Sequence, residues 1–299
     1  MRKHKYEIFL IAGLLIGFSV LLYPSFSSFV NQIGASYAVR NYDNTLNEAG
    51  QEQIDSMLSQ AQAYNEGLAY GGSEYVSGDP QDPEYASLLN ISGDGMIGYI
   101  SIRKLGVLLP IYHGTSDTTL AGSTGHLEGS SLPVGGESTH AVITGHRGLP
   151  TARLFTNLDK LEIGDTFTIT VLNEILTYQV DEIDTVLPEE TDLLDIVPGQ
   201  DLVTLVTCTP YAVNTHRLLV RGHRIPTIEE KRVTADADQY DSVLVAFAVA
   251  SPFLAAALIR CLMYRRELKM TENAGGDARE TDNIGTDEMK PERKPDDKE

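Results

Sequence analysis

The sequence predicts a mostly-β domain, a barrel or sandwich of seven or eight strands, set between two apolar segments. Two observations carry the β assignment. From Met96 to Pro226 the runs MIGYISI, VLLPIYH, HAVITGH, TFTITVL, ILTYQVDEIDTV, LVTLVTC and RLLVRGH are rich in β-formers and separated by turn residues. The stretch, about 130 residues, is long enough for one hydrophobic core. A third observation frames it: apolar segments lie near both ends of the chain.

At the N-terminus, MRKHKYEIFLIAGLLIGFSVLLYPSF places basic residues before an apolar run from Ile8 to Tyr23, at the short end of what can cross a bilayer. Tyr23-Pro24-Ser25-Phe26 is bulky where a signal-peptide cleavage site wants small residues, so a retained anchor is expected. The second apolar segment, SVLVAFAVASPFLAAALIRCLMYRR, starts at Ser242 and carries Arg260, Arg265 and Arg266; its Pro252 is compatible with a membrane helix, and a buried core helix is the alternative. Positive charge outside both segments puts both termini in the cytoplasm and the middle outside, a cell-membrane protein with two transmembrane helices.

The expected organisation is therefore residues 1–30 as cytoplasmic stub and anchor, 31–95 as helical segment and loop, 96–230 as the β-domain, 231–266 as connector and second span, and 267–299 as a disordered tail. Within 31–95, Ala49 to Ala63 has amphipathic spacing, whereas LAYGGSEYVSGDPQDPE (68–84) has loop composition. A loop that long inside a compact chain is often functional. Inside the β-domain one short helix is expected, from Ala152 to Leu158. The net charge of −19 over 299 residues, with no basic face, excludes a nucleic-acid binder. The two cysteines, 208 and 261, are too far apart in sequence and setting to suggest a disulfide framework.

Cys208 closes the run Leu202–Val206 just before Thr209-Pro210, where a strand gives way to a loop. Strand ends on a rigid scaffold are favoured places for reactive groups, although a lone cysteine there is more often buried and inert. A nucleophilic cysteine needs a base or cation beside it. His146, in Thr144-Gly145-His146-Arg147-Gly148, follows a strand directly and is flanked by glycines that permit a tight turn; His216 is the second candidate. Arg217 opens RLLVRGH, which can pair back beside the cysteine strand. Arg217, Leu219 and Arg221 would then share one face, with the guanidinium placed to steady an oxyanion. No ligand spacing for a metal is present, and no cofactor is expected.

TLVTC with Arg217 nine positions on, TGHRG upstream and the paired apolar segments resemble the sortases, the cysteine transpeptidases of Gram-positive cell surfaces, specifically the pilus-assembling class C enzymes. GYISIRKLGVLLPIYHGTS, GHLEGSSLPVGG, HAVITGHRG, LFTNLDKLEIGD and TLVTCTPYAVNTHRLLVRGHR extend the similarity from Gly98 to Arg224. The resemblance implies a closed eight-stranded sortase-type β-barrel with short helices, an N-terminal helical segment and a transmembrane helix at each end. It implies Cys208 as nucleophile on the Thr-Gly bond of an LPxTG-like signal, His146 as acid/base, and Arg217 as the group that orients substrate and stabilises the oxyanion. Thr207 would shape the substrate groove. The partners would be pilin subunits bearing sorting signals and acceptor lysines. Class C enzymes commonly carry a lid in which Asp-Pro is followed by an aromatic. Here Asp79-Pro80-Gln81 and Asp82-Pro83-Glu84 lack that ring, so Asp79 or Asp82 with Tyr75 or Tyr85 are the expected lid contacts. A housekeeping sortase, a cysteine protease and a non-catalytic β-domain are the rival readings.

Overall fold

In a computed structural model of the chain the β-rich runs close on themselves. The structure describes residues 2–149 and 151–227, with a few further positions between 256 and 266. The strands are β1 (Met96–Ile102), β2 (Val107–His113), β3 (Thr124–His126), β4 (Thr139–Thr144), β5 (Thr166–Val171), β6 (Glu174–Val186), β7 (Asp201–Thr209) and β8 (His216–Ile225), joined as a closed barrel in the order β1-β2-β3-β4-β7-β8-β6-β5. Closure leaves no open edge among these strands. β2 with β3 and β4 with β7 run parallel, and every other pair is antiparallel.

Alternation along the strands decides what faces inward. Val203 and Leu205 of β7 and Leu218 and Val220 of β8 enter the main core with Ile100, Ile143, Phe155, Phe167, Ile169 and Tyr178. Their alternates, Val206 and Leu219, join a smaller cluster on the outer face with Leu127, Val142 and Leu194. Cys208 and Arg217, two residues on from Val206 and before Leu219, lie on that outer face.

Helix α1 (Arg2–Glu48) reaches the barrel through Ala35, Val39, Tyr42 and Leu46, spaced as one helical face. Tyr42 is fully buried; its hydroxyl donates to the Ile97 carbonyl at 2.8 Å and accepts from the Leu172 N–H at 2.9 Å. That second bond satisfies a residue with φ +49 at the tip of the β5–β6 hairpin. Helix α2 (Gln51–Gly71) docks through Asn65, whose amide spans the Leu132 carbonyl at 2.9 Å and N–H at 2.7 Å. After α2 the chain runs without regular structure, apart from a bridge between Val76 and Glu128, to α3 (Pro83–Ser87); α4 (Asp117–Leu120) follows β2.

Two expectations are corrected. Residues 152–157 form no helix: they make turns, with Leu154 at φ +33, that lead into a 3-10 turn at Leu158–Lys160. The turn places Phe155 in the core, which a helix continued from Ala152 would not need to do. The second correction is the membrane helix at each end and the two-span cell-membrane placement that followed from it. Among the described residues no helix is long and apolar enough to cross a membrane. The run Ile8–Tyr23 falls short of the about 20 residues that a span takes, and it is part of helix α1, Arg2–Glu48. The second expected span, from Ser242, falls almost wholly outside the described residues, as does the tail. The chain divides into two units, Ser19–Val243, described above, and Met1–Phe18 with Leu244–Glu299, which contains the beginning of α1.

The Tyr42 pair of bonds gives a stability prediction. Tyr42→Phe keeps the ring but leaves the Leu172 N–H buried without its partner, and should cost about 1–3 kcal/mol, read as a lowered urea midpoint with unchanged slope.

Candidate functional site

β4 and β7 run side by side with Thr144 opposite Val206. Two residues beyond that pair in sequence lie His146 and Cys208. The register persists past the end of β4: the Gly145 N–H donates to the Val206 carbonyl at 3.0 Å, and the Thr207 hydroxyl donates to the Gly145 carbonyl at 2.7 Å. On the other flank β8 returns antiparallel and sets Arg217 directly opposite Cys208, with His216 opposite Thr209. Cys208 is half-buried, between the His146 turn and Arg217.

Glycine at 145 is a packing requirement. A Cβ there would sit 2.7 Å from the Phe155 ring, and Phe155 is fully buried. The Phe155 N–H also donates to the His146 carbonyl at 3.1 Å, so the turn is held by ring and backbone together. Thr207 is buried, with its hydroxyl on Gly145. The Arg217 guanidinium donates to the carbonyls of His216 at 3.2 Å and Asn214 at 3.4 Å, inside the β7–β8 loop. Among the described residues it makes no ion pair.

Four of the other histidines are committed elsewhere, and His216, opposite Thr209, shares a hydrogen bond between its Nδ1 and the Thr215 hydroxyl at 2.9 Å. His126 is fully buried, its Nε2 on the Ser131 carbonyl at 2.8 Å and its Nδ1 accepting from the Tyr85 hydroxyl at 2.8 Å; burial pushes its pKa down to about 3. His140 donates from Nδ1 to the Asp195 carbonyl at 2.8 Å and accepts from Thr204 at 2.7 Å, and burial lowers it too. His113, bonded through Nδ1 to the Gly95 carbonyl at 2.9 Å, is lowered for the same reason. His223 faces Asp181 at 3.2 Å. His146, half-exposed, lies two residues past the end of β4, in the turn that follows the pairing of Thr144 with Val206.

The loop residues separate. Tyr75 packs on the outer cluster of Val206 and Leu219, one alternation from Cys208 and Arg217, and its hydroxyl donates to the Leu194 carbonyl at 2.8 Å. The loop lies close at this point, since a Cβ on Gly129 would meet the Glu74 carbonyl oxygen within bonding distance. Asp82 is exposed and caps α3 by accepting the Glu84 N–H at 2.9 Å. Asp79 is exposed and no described bond joins it or Asp82 to Cys208, His146 or Arg217. Tyr85 is fully buried in the core beside His113 and His126. Sequence reasoning missed Glu128, whose buried carboxylate accepts the N–H groups of Gln81 at 2.7 Å and Asp82 at 2.9 Å. It also missed Arg147, a buried guanidinium in the middle of TGHRG.

The Sortase domain family model matches residues 100–225. Sortase C1 from Streptococcus agalactiae is 49% identical, with a TM-score of 0.62, and the match covers 64% of this chain and 100% of that one. The chain belongs to the sortase family. It has the fold of the class C, pilus-associated members of this Gram-positive family of cysteine transpeptidases. Sortase C from Streptococcus pneumoniae is 43% identical over 65% of this sortase and 99% of its own chain, with a TM-score of 0.61. Sortase A of Streptococcus agalactiae serotype III is 33% identical over 157 residues, 51% of this chain and 60% of its own length.

The buried histidines give this sortase an acid-sensitive fold. His126 stays neutral when folded but takes up a proton near its ordinary pKa of about 6.5 when unfolded. Between that value and about 3 the unfolded state binds the extra proton. Stability should therefore fall on acidification below about 6.5, by up to about 1.4 kcal/mol per pH unit for each such histidine. Urea midpoints measured from pH 7 to 5 check this, and a flat profile contradicts it.

Proposed function

We propose that this sortase is a transpeptidase acting on pilin subunits, using Cys208, His146 and Arg217. The observation that supports the reading is the strand pairing: β7 has Arg217 opposite Cys208 on one flank, and on the other it pairs with β4 up to Thr144 and Val206, two residues before His146 and Cys208. Support for the substrate class comes from its relatives: the Streptococcus pneumoniae enzyme is described for its pilin substrate specificity, and a sortase C1 43% identical to this chain belongs to a pilus island of group B streptococcus.

In this mechanism the Cys208 thiolate attacks the threonine carbonyl of an LPxTG-like signal. Arg217, whose guanidinium among the described residues bonds the carbonyls of Asn214 and His216, is free to turn its donors to the oxyanion. His146 protonates the glycine amine as the C–N bond breaks and a thioester remains on Cys208. A pilin lysine then enters as the free amine. It gives its proton to His146 as its nitrogen attacks, the thiolate leaves, and an isopeptide bond joins the two subunits. A thioester suits this task because an amine can resolve it before water does. Thr207 acts through the turn, holding Gly145 and with it His146.

Tyr75 has a place in the same reading as a cover. It packs against the cluster of Leu127, Val142, Leu194, Val206 and Leu219, which includes the apolar strip that a sorting signal would cross to reach Cys208. Its hydroxyl, bonded to Leu194, holds it there.

Incubation of the full chain with an LPxTG peptide should give a mass adduct on Cys208 that passes to a lysine-bearing pilin fragment. Cys208→Ala should give none, His146→Ala should slow it about 10²–10⁴-fold, and Arg217→Ala about 10²–10³-fold. Hydrolysis with no transfer to any amine would instead indicate a protease. Tyr75→Ala should raise the adduct rate by roughly 3- to 10-fold, as expected when a covered state is depopulated; an unchanged rate would remove Tyr75 from the account.

A further inference from the structure

Arg147 follows His146 immediately, and Thr209 follows Cys208 immediately. The two are bonded: Arg147 Nη1 donates to the Thr209 hydroxyl at 3.2 Å. The other arm, Nη2, meets the Asp159 carboxylate at 2.6 Å, and Asp159 belongs to the 3-10 turn Leu158–Lys160. The arginine side chain is only 9% exposed, and its Nε is buried without a partner among the described residues. One guanidinium thus joins the His146 turn, the end of the Cys208 strand and the turn below Phe155.

We infer that Arg147 is a positioning residue for the reaction proposed above, holding His146 level with Cys208; the inference rests on that reading. The need for such a tie follows from where the sheet ends. Ladder pairing of β4 with β7 stops at Thr144 and Val206, two residues short of the reacting groups. Past that point the bonds through Gly145 hold the turn before His146, and among the described residues the Arg147–Thr209 hydrogen bond is the one that joins the two segments beyond it. The fork of a guanidinium can serve Thr209 and Asp159 at once from one fixed plane, which a lysine ammonium on a flexible stem does less well. Burial of a charge with one donor unpaired would be a poor choice for stability alone.

A purely structural ion pair would lower stability and activity together, so the test separates them. The full chain, Arg147→Ala, Arg147→Lys and Thr209→Val are compared, the first two substitutions also in a His146→Ala background. Thr209→Val keeps the Arg147–Asp159 pair and guards against simple unfolding. Under single turnover, Arg147→Ala should acylate Cys208 about 100-fold more slowly at saturating peptide, the size of effect that a misplaced catalytic group gives. Arg147→Lys should recover part of that loss. In the His146→Ala background the same substitution should cost no more than about 3-fold, because residues acting as a unit are not additive.

A second reading needs no peptide. The rate of Cys208 alkylation by iodoacetamide is followed against pH, and any step that His146→Ala removes should also vanish in Arg147→Ala and Thr209→Val. Equal losses in both backgrounds, a loss confined to KM, or an alkylation profile in Arg147→Ala unchanged from the parent would overturn the inference. Failure of the parent chain to acylate at all would count against the proposed function, and the alkylation profiles would still decide the role of Arg147.

Discussion

The site depends on the parallel pairing of β4 with β7. Parallel neighbours advance together, so the alignment of Thr139–Thr144 with Asp201–Val206 brings the turn that carries His146 out beside the end of the Cys208 strand. Because barrel closure fixes both flanks of β7, a one-residue slip would also break its pairing with β8 and send Cys208 to the inner face. The hydrophobic core enforces the register: Val203, Leu205, Leu218 and Val220 can be inside only if Cys208 and Arg217 are outside. Packing of the interior and presentation of the site are therefore one constraint.

The outer face of β4, β7 and β8 is banded along the strands. At the far end lies a polar band, where His140 accepts from Thr204 and Arg221 pairs with Asp181 and Glu182. In the middle is the apolar band of Val142, Val206 and Leu219, covered by Tyr75 and Leu194. At the near end are His146, Cys208 and Arg217.

Much of this was legible in the sequence, for physical reasons that can be named. Strand runs with turn residues between them gave the β-domain, and alternation in RLLVRGH placed Arg217, Leu219 and Arg221 on one face. Other features were not legible. The helical expectation at 152–157 failed because Phe155 is drawn into the core against Gly145, a tertiary effect that overrides local propensity. Tyr85 had loop-like neighbours, yet its ring fills the space between His113 and His126. Nothing in the composition marked Glu128 or Arg147, since burial of a lone charge is set by partners distant in sequence. The apolar N-terminal run read as a membrane span, and no described helix meets the length and apolarity that a span demands.

The most direct test of the register is a disulfide trap. If the β4–β7 alignment carries on two residues past Thr144 and Val206, the thiol introduced by His146→Cys stands one strand spacing, ~4.8 Å, from Cys208, inside the about 4.4–6.8 Å Cα separation that a disulfide accepts. Mild oxidation followed by peptide mapping should recover a cross-link between position 146 and Cys208, reversed by reductant. Recovery of both thiols free and alkylated after oxidation of the folded chain would contradict the arrangement.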